Sequence, residues 1–141
     1  MNMITIIEGA KGSGKTKRII DSANRSVESG KGVTVFLSTT TRYRTEIKPS
    51  IKFIDTVEEG VRTKEMLFGF IKGMLCANYD IEYVYIDGVY KMLGEKSVDT
   101  PAMADLFLFL EGLNAKSNVK FVLTISCAKE DLPEYISKYA K

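Results

Sequence analysis

The sequence predicts an α/β fold, a three-layer sandwich in which helices flank a mostly parallel five-stranded sheet. Three observations carry that expectation. Short β-branched and aromatic runs alternate with longer segments of helical period. A glycine-rich segment joins the first run to the first helical pattern. The 141 residues fit a single domain over residues 1–141, long enough to bury a core and too short for two ordinary domains.

Each element has a local reason. Ile4 to Glu8 is an apolar run ending in a glycine-rich turn, as a buried parallel strand would. From Lys15, the residues Ile19, Ile20, Ala23 and Val27 fall on one helical face, and Ser29-Gly30-Lys31-Gly32 supplies the stop. Val33 to Ser38 reads as a second strand. Pro49 breaks the chain before a short strand at Ile51 to Ile54. Val61 to Ala77 reads as a helix with Met66, Phe70 and Met74 four apart on its apolar face and Gly69 and Gly73 as close-packing sites. Tyr83 to Ile86 is a fourth strand, ending at Asp87-Gly88. Asp99 or Thr100 caps a helix from about Ala102 to Ala115, with Pro101 in its first turn. Val119 to Ser126 is the fifth strand, and Asp131-Leu132-Pro133 opens a short last helix. Such alternation predicts right-handed crossovers between parallel strands.

Composition excludes several classes. With 45% hydrophobic and 27% charged residues, disordered, collagen-like and membrane chains are disfavoured. The longest apolar run, Leu106 to Leu110, is flanked by Asp105 and Glu111 and falls far short of the roughly 20 residues of a membrane span. Met1 to Glu8 shows neither a basic leader nor a long apolar segment, so a cytoplasmic location is expected. Cys76 and Cys127 make no metal-type cluster and are expected to be buried free thiols. The net charge of +2 is unevenly spread: residues 1–52 carry ten basic against four acidic side chains, residues 53–141 ten against fourteen. A polyanion bound near the N-terminal half, such as a nucleotide's phosphates, fits that asymmetry. Nucleic acid remains open on charge alone, yet no aromatic-basic recognition module supports it.

The segment Gly9-Ala10-Lys11-Gly12-Ser13-Gly14-Lys15-Thr16 fits G-x-x-x-x-G-K-[ST] at every fixed position. Glycines allow backbone conformations closed to other residues, so that successive N–H groups point at phosphate oxygens. Lys15 would set its charge against the β- and γ-phosphates, and the Thr16 hydroxyl would ligate Mg²⁺. The helix that begins here adds its positive end. The expected ligand is a nucleoside triphosphate, ATP with magnesium.

Asp87 ends an apolar strand at the sheet edge where ligands bind in α/β folds, and is the candidate for orienting magnesium. Thr124 and Ser126 lie near the end of the fifth strand, where a hydroxyl would sense a γ-phosphate or hold the attacking water; hydroxyls are also ordinary in strands. Lys15, Asp87 and Thr124 are the candidate catalytic residues. Arg42, Arg44 and Lys48 follow the second strand, either as a solvated basic loop or as cations reaching a phosphate. Tyr79, Tyr83, Tyr85 and Tyr90 bracket the Asp87 strand and are read as packing residues, with one of them a stacking partner for a base as the alternative.

The phosphate-loop motif, the second strand, the run Tyr83 to Met92 and the strand Val119 to Ser126 together resemble the ATPase core of RecA-like P-loop NTPases, a family that includes replicative helicases and clock-type ATPases. The resemblance covers most of the chain and implies that the Thr124 strand lies between the phosphate-loop strand and the Asp87 strand. Proteins of this kind usually carry a glutamate that activates the attacking water, beside the aspartate or after the second strand. Here those places hold Gly88 and the run Ser38 to Thr41. Without a carboxylate base, water attack loses assistance worth about 10²–10⁴-fold, so slow hydrolysis is expected. Glu8, Glu46 and Asp55 are conceivable substitutes. The absence of histidine removes the histidine-box signature of secretion and twitching-motility ATPases. Thr41-Arg42-Tyr43 after the second strand faintly resembles thymidine kinases, but two cysteines do not build their four-cysteine zinc ribbon.

Three functions follow from these residues. The leading one is an ATP-binding switch with weak or partner-stimulated hydrolysis, acting through a protein partner or a second copy. A small-molecule, nucleoside-type kinase could use the same loop, although no Arg-rich lid is visible. The third is a non-catalytic assembly subunit that binds nucleotide for structure.

Overall fold

A computed structural model describes residues 3–140. Five strands form one parallel sheet: β1 (Ile4–Gly9), β2 (Val33–Ser38), β3 (Lys52–Asp55), β4 (Ile81–Asp87) and β5 (Lys120–Ser126), in the spatial order β1-β5-β4-β2-β3. The Thr124 strand therefore separates β1 from the Asp87 strand. Helices α1 (Lys15–Ser29), α2 (Lys64–Ala77), α3 (Val89–Leu93), α4 (Pro101–Asn114) and α5 (Glu134–Ser137) flank it. No helix among the described residues is long and apolar enough to cross a membrane.

Strand alternation divides the core in two. Ile4, Ile6, Leu37, Ile86, Phe121 and Leu123 point to the face covered by α2 to α5, while Ile7, Phe36, Tyr85 and Val122 point to α1 through Ile19, Ile20 and Ala23. Continuous apolar sequence in β4 and β5 is what a strand buried on both faces requires. The C-terminal ends align at one edge, Ser38 beside Asp87 and Gly9 beside Ser126. The outer edge of β1 is closed by the tail, where the Ile6 amide donates to the Tyr139 carbonyl at 3.0 Å.

Helix starts follow their caps. Thr63 accepts from the Met66 amide and Thr100 from the Met103 amide, each at 3.2 Å, and Pro101 needs no amide donor in the first turn of α4. Thr100→Ala is expected to lower stability by about 1 kcal/mol, measured by denaturant unfolding, because the Met103 amide loses its acceptor.

Several expectations need correction. The helix read from Val61 begins at Lys64, since Val61 is held in the preceding turn with its amide on the Thr56 carbonyl. Its buried residues are Leu67 and Ile71; Met66 is 53% exposed, and Gly69 and Gly73 face open space, so neither is a close-packing site. Cys76 is exposed and Cys127 half-buried, in place of two buried thiols, and both are free. Tyr85 is a packing residue at 1% exposure, whereas Tyr79, at 93%, is a surface residue and not part of the core.

Candidate functional site

The site begins in the local geometry of residues 9–16. Gly9, Gly12 and Gly14 all have positive φ, and a side chain at Gly9 would collide with that of Ser13. Only glycine turns the chain this sharply between β1 and α1 without strain. The Ser13 amide closes the turn on the Ala10 carbonyl at 3.1 Å. Gly14 caps α1 without a side-chain hydrogen bond, and the first turn carries no acid. Its first amides therefore keep their positive end available to an anion.

Lys15 lies in that first turn, 8% exposed, with its ammonium donating to the Ala10 carbonyl at 2.9 Å. Burial lowers its pKa, Asp87 opposes that shift, and Arg18 adds to it. The next residue, Thr16, points across to β4: its hydroxyl donates to Asp87 Oδ2 at 3.1 Å. From β5, the buried Thr124 hydroxyl donates to Asp87 Oδ1 at 2.6 Å. One carboxylate thus joins three separate elements, with each oxygen accepting from a different hydroxyl.

These groups line a cavity of about 300 Å³ at the C-terminal edge of the sheet, together with Lys11, Gly12 and Ser126. Two further residues complete it that sequence reading did not assign. Gly88, at φ 95°, turns the chain into the five-residue α3, which brings Tyr90 and Lys91 to the cavity. The Tyr90 hydroxyl donates to the Ser126 carbonyl at 3.3 Å, and burial pushes its pKa up to about 12. The only sequence signal for α3 was the glycine after Asp87.

A second cavity of about 610 Å³ opens on the other side of the loop, where Lys17 and Ile20 meet Arg42, Tyr43 and Glu46. The basic loop is split between partners. Arg42 lies over the Tyr43 ring, Arg44 over the Phe53 ring, and Lys48 pairs with Glu28 at 3.0 Å. Of the substitute carboxylates, Asp55 accepts from the amides of Val57 and Glu58, and Glu46 lines the second cavity. Asp87 is the one carboxylate lining the first among the described residues.

The donor set favours a hard cation. The Thr16 hydroxyl and an Asp87 oxygen are adjacent and could hold a cation between them, and no group of three or more His, Cys, Asp or Glu side chains converges among the described residues. Two protein oxygens suit an ion such as Mg²⁺ that keeps water and phosphate in its shell, and do not suit zinc.

No protein-family model matches the chain, and no curated protein matches it either. The fold defines an α/β protein with a five-stranded parallel sheet flanked by helices, and its chemistry resides in the side chains gathered at the sheet edge.

Proposed function

We propose that this protein binds magnesium-ATP at Gly9 to Thr16 and hydrolyses it slowly, as a switch accelerated by a protein partner or a second copy. The observation that supports this best is the junction at Asp87, which gathers Thr16 of the loop helix and Thr124 of β5 beside the buried Lys15. In this reading the loop amides and Lys15 hold the phosphates, Thr16 and Asp87 hold magnesium, and Lys11 and Lys91 face the terminal phosphate. Bound magnesium would draw charge from the β- and γ-oxygens. Thr124 orients Asp87. The placement of β5 between β1 and β4 is the order that a RecA-like resemblance implies.

Slow turnover follows from the carboxylates. Asp87 is occupied by two hydroxyls, Glu46 and Asp55 lie elsewhere, and Glu8, whose charge reaches Lys15, does not line the phosphate cavity, so a water at the terminal phosphate has no free carboxylate beside it among the described residues. The second cavity, with Arg42, Tyr43 and Glu46, favours one alternative, a nucleoside-type kinase whose acceptor enters there. A non-catalytic assembly subunit would bind nucleotide and do neither chemistry.

Calorimetry with ATP, ADP and AMP, with and without magnesium, tests the reading alongside phosphate release. Magnesium-dependent preference for ATP with turnover well below about 10 per second is expected. Absence of binding at millimolar nucleotide overturns it, and phosphate transfer to a nucleoside would select the kinase.

A further inference from the structure

Helices sit unevenly on the sheet. Among the described residues, four of them pack on one face, and on the other only α1 does, joined by Ile47 and Ile51. Parallel sheets ordinarily carry helices on both faces, because both are apolar. Here a groove of about 550 Å³ remains beside α1, over β1, β5 and β4. Its floor includes Thr5, Ile7, Val122 and Tyr83, and its wall is the α1 face that presents Arg18, Ser22 and Arg25.

The groove is positively charged. Arg18, Arg25 and Lys120 line it against Asp21, and Lys120 touches Glu82 at 3.9 Å. Arg18 and Arg25 stand two helical turns apart, about 10 Å along α1. That matches two side chains one heptad apart on a helix lying alongside. A nucleic-acid strand fits less well. Tyr83 is stacked on Tyr85 at 5.8 Å and has the Lys120 ammonium 4.9 Å from its centroid, while Tyr85 is 1% exposed, so neither ring is free to stack a base.

We propose that this groove docks an acidic amphipathic helix of a protein partner, with carboxylates one heptad apart meeting Arg18 and Arg25 and short apolar side chains lying over Ile7 and Val122. The inference does not depend on the nucleotide reading. It does place the partner near the loop, since the Arg18 guanidinium donates to the Glu8 carbonyl at 3.4 Å, one residue before Gly9.

The test uses the full chain, ¹⁵N-labelled, titrated with a synthetic helical peptide that carries glutamates seven residues apart beside an alanine-leucine stripe. A second peptide has lysine at the glutamate positions. The acidic peptide alone is expected to shift the amides of Thr5, Arg18, Arg25, Tyr83 and Lys120. The doubly reversed Arg25→Glu, Lys120→Glu protein should bind it about tenfold or more weakly, with its thermal midpoint retained. If that pair fails to fold, Arg25→Gln alone is used, and a severalfold loss is required. Shifts elsewhere, equal response to both peptides, or no binding overturns the proposal. So does an oligothymidylate that shifts the same amides, or sedimentation showing a dimer that the reversal disperses, which would assign the groove to nucleic acid or to a second copy.

Discussion

Replacing Lys15 with methionine is expected to weaken ATP binding roughly a hundredfold while leaving the empty protein at least as stable as before. The first effect follows from losing a charge-assisted hydrogen bond to phosphate in a partly dry site, worth about 1.5–3 kcal/mol. The second follows from burial. The ammonium is 8% exposed, and its lowered pKa states that the folded protein holds that proton less firmly than the unfolded chain does. Methionine keeps most of the volume and removes the buried charge. The Ala10 carbonyl keeps the Ser13 amide as its donor and belongs to an exposed residue, so losing the ammonium leaves no buried acceptor unpaired.

The same shift sets the sign of a pH effect. Because the unfolded chain binds more protons at Lys15, stability of the empty protein rises with pH between the lowered folded value and the ordinary 10.5. A bound phosphate favours the charged form, so ATP affinity should fall as pH climbs through that window. Thermal midpoints and titrations in parallel pH series check both. A lower midpoint for Lys15→Met would show that the Ala10 contact outweighs desolvation.

Asp87→Asn should reduce ATP turnover by about a hundredfold and abolish most of the magnesium-dependent gain in ATP affinity. Among the described residues Asp87 is the one carboxylate lining the first cavity, where it accepts from the Thr16 hydroxyl. Asparagine keeps the shape, and both hydroxyls can turn to meet an amide, so folding should persist. Binding of ADP without magnesium is the internal control and should change little. If ATP affinity in magnesium is unchanged, the metal lies elsewhere and the Asp87 assignment is wrong. Asp87→Ala is the less informative change. It leaves the buried Thr124 hydroxyl without its acceptor and removes the charge that offsets Lys15 burial, mixing stability with function.

What the sequence revealed followed how local the information was. The loop at Gly9 to Thr16 and the strand ending at Asp87 are encoded within a few adjacent residues, by glycine positions and by apolar runs bounded by turns. The buried face of α2 is not. Met66, Leu67, Phe68, Phe70, Ile71, Met74 and Leu75 make that helix apolar almost all round, so only docking selects Leu67 and Ile71 for the core. Five-residue α3 is too short to show a period, which hid Lys91. Tyr79 and Tyr85 look alike in sequence, yet one tops a turn before β4 and the other sits at the sheet centre. The groove beside α1 was invisible for another reason: its lining comes from four separate elements, α1, β1, β4 and β5, that only the fold brings together.

The edge position of β1 has a consequence for how the protein is made. Among the described residues β1 pairs with β5 and the Tyr139 tail, both of which follow every other strand in chain order. At roughly 5–20 residues per second, it waits on the order of ten seconds for a partner. The helices and strands between can collapse meanwhile, but the glycine loop, strung between β1 and α1, stays unformed until the last strand arrives. A truncated chain ending before β5 would then be a sheet without its loop, so the loop's shape reports that segments far apart in the chain have met.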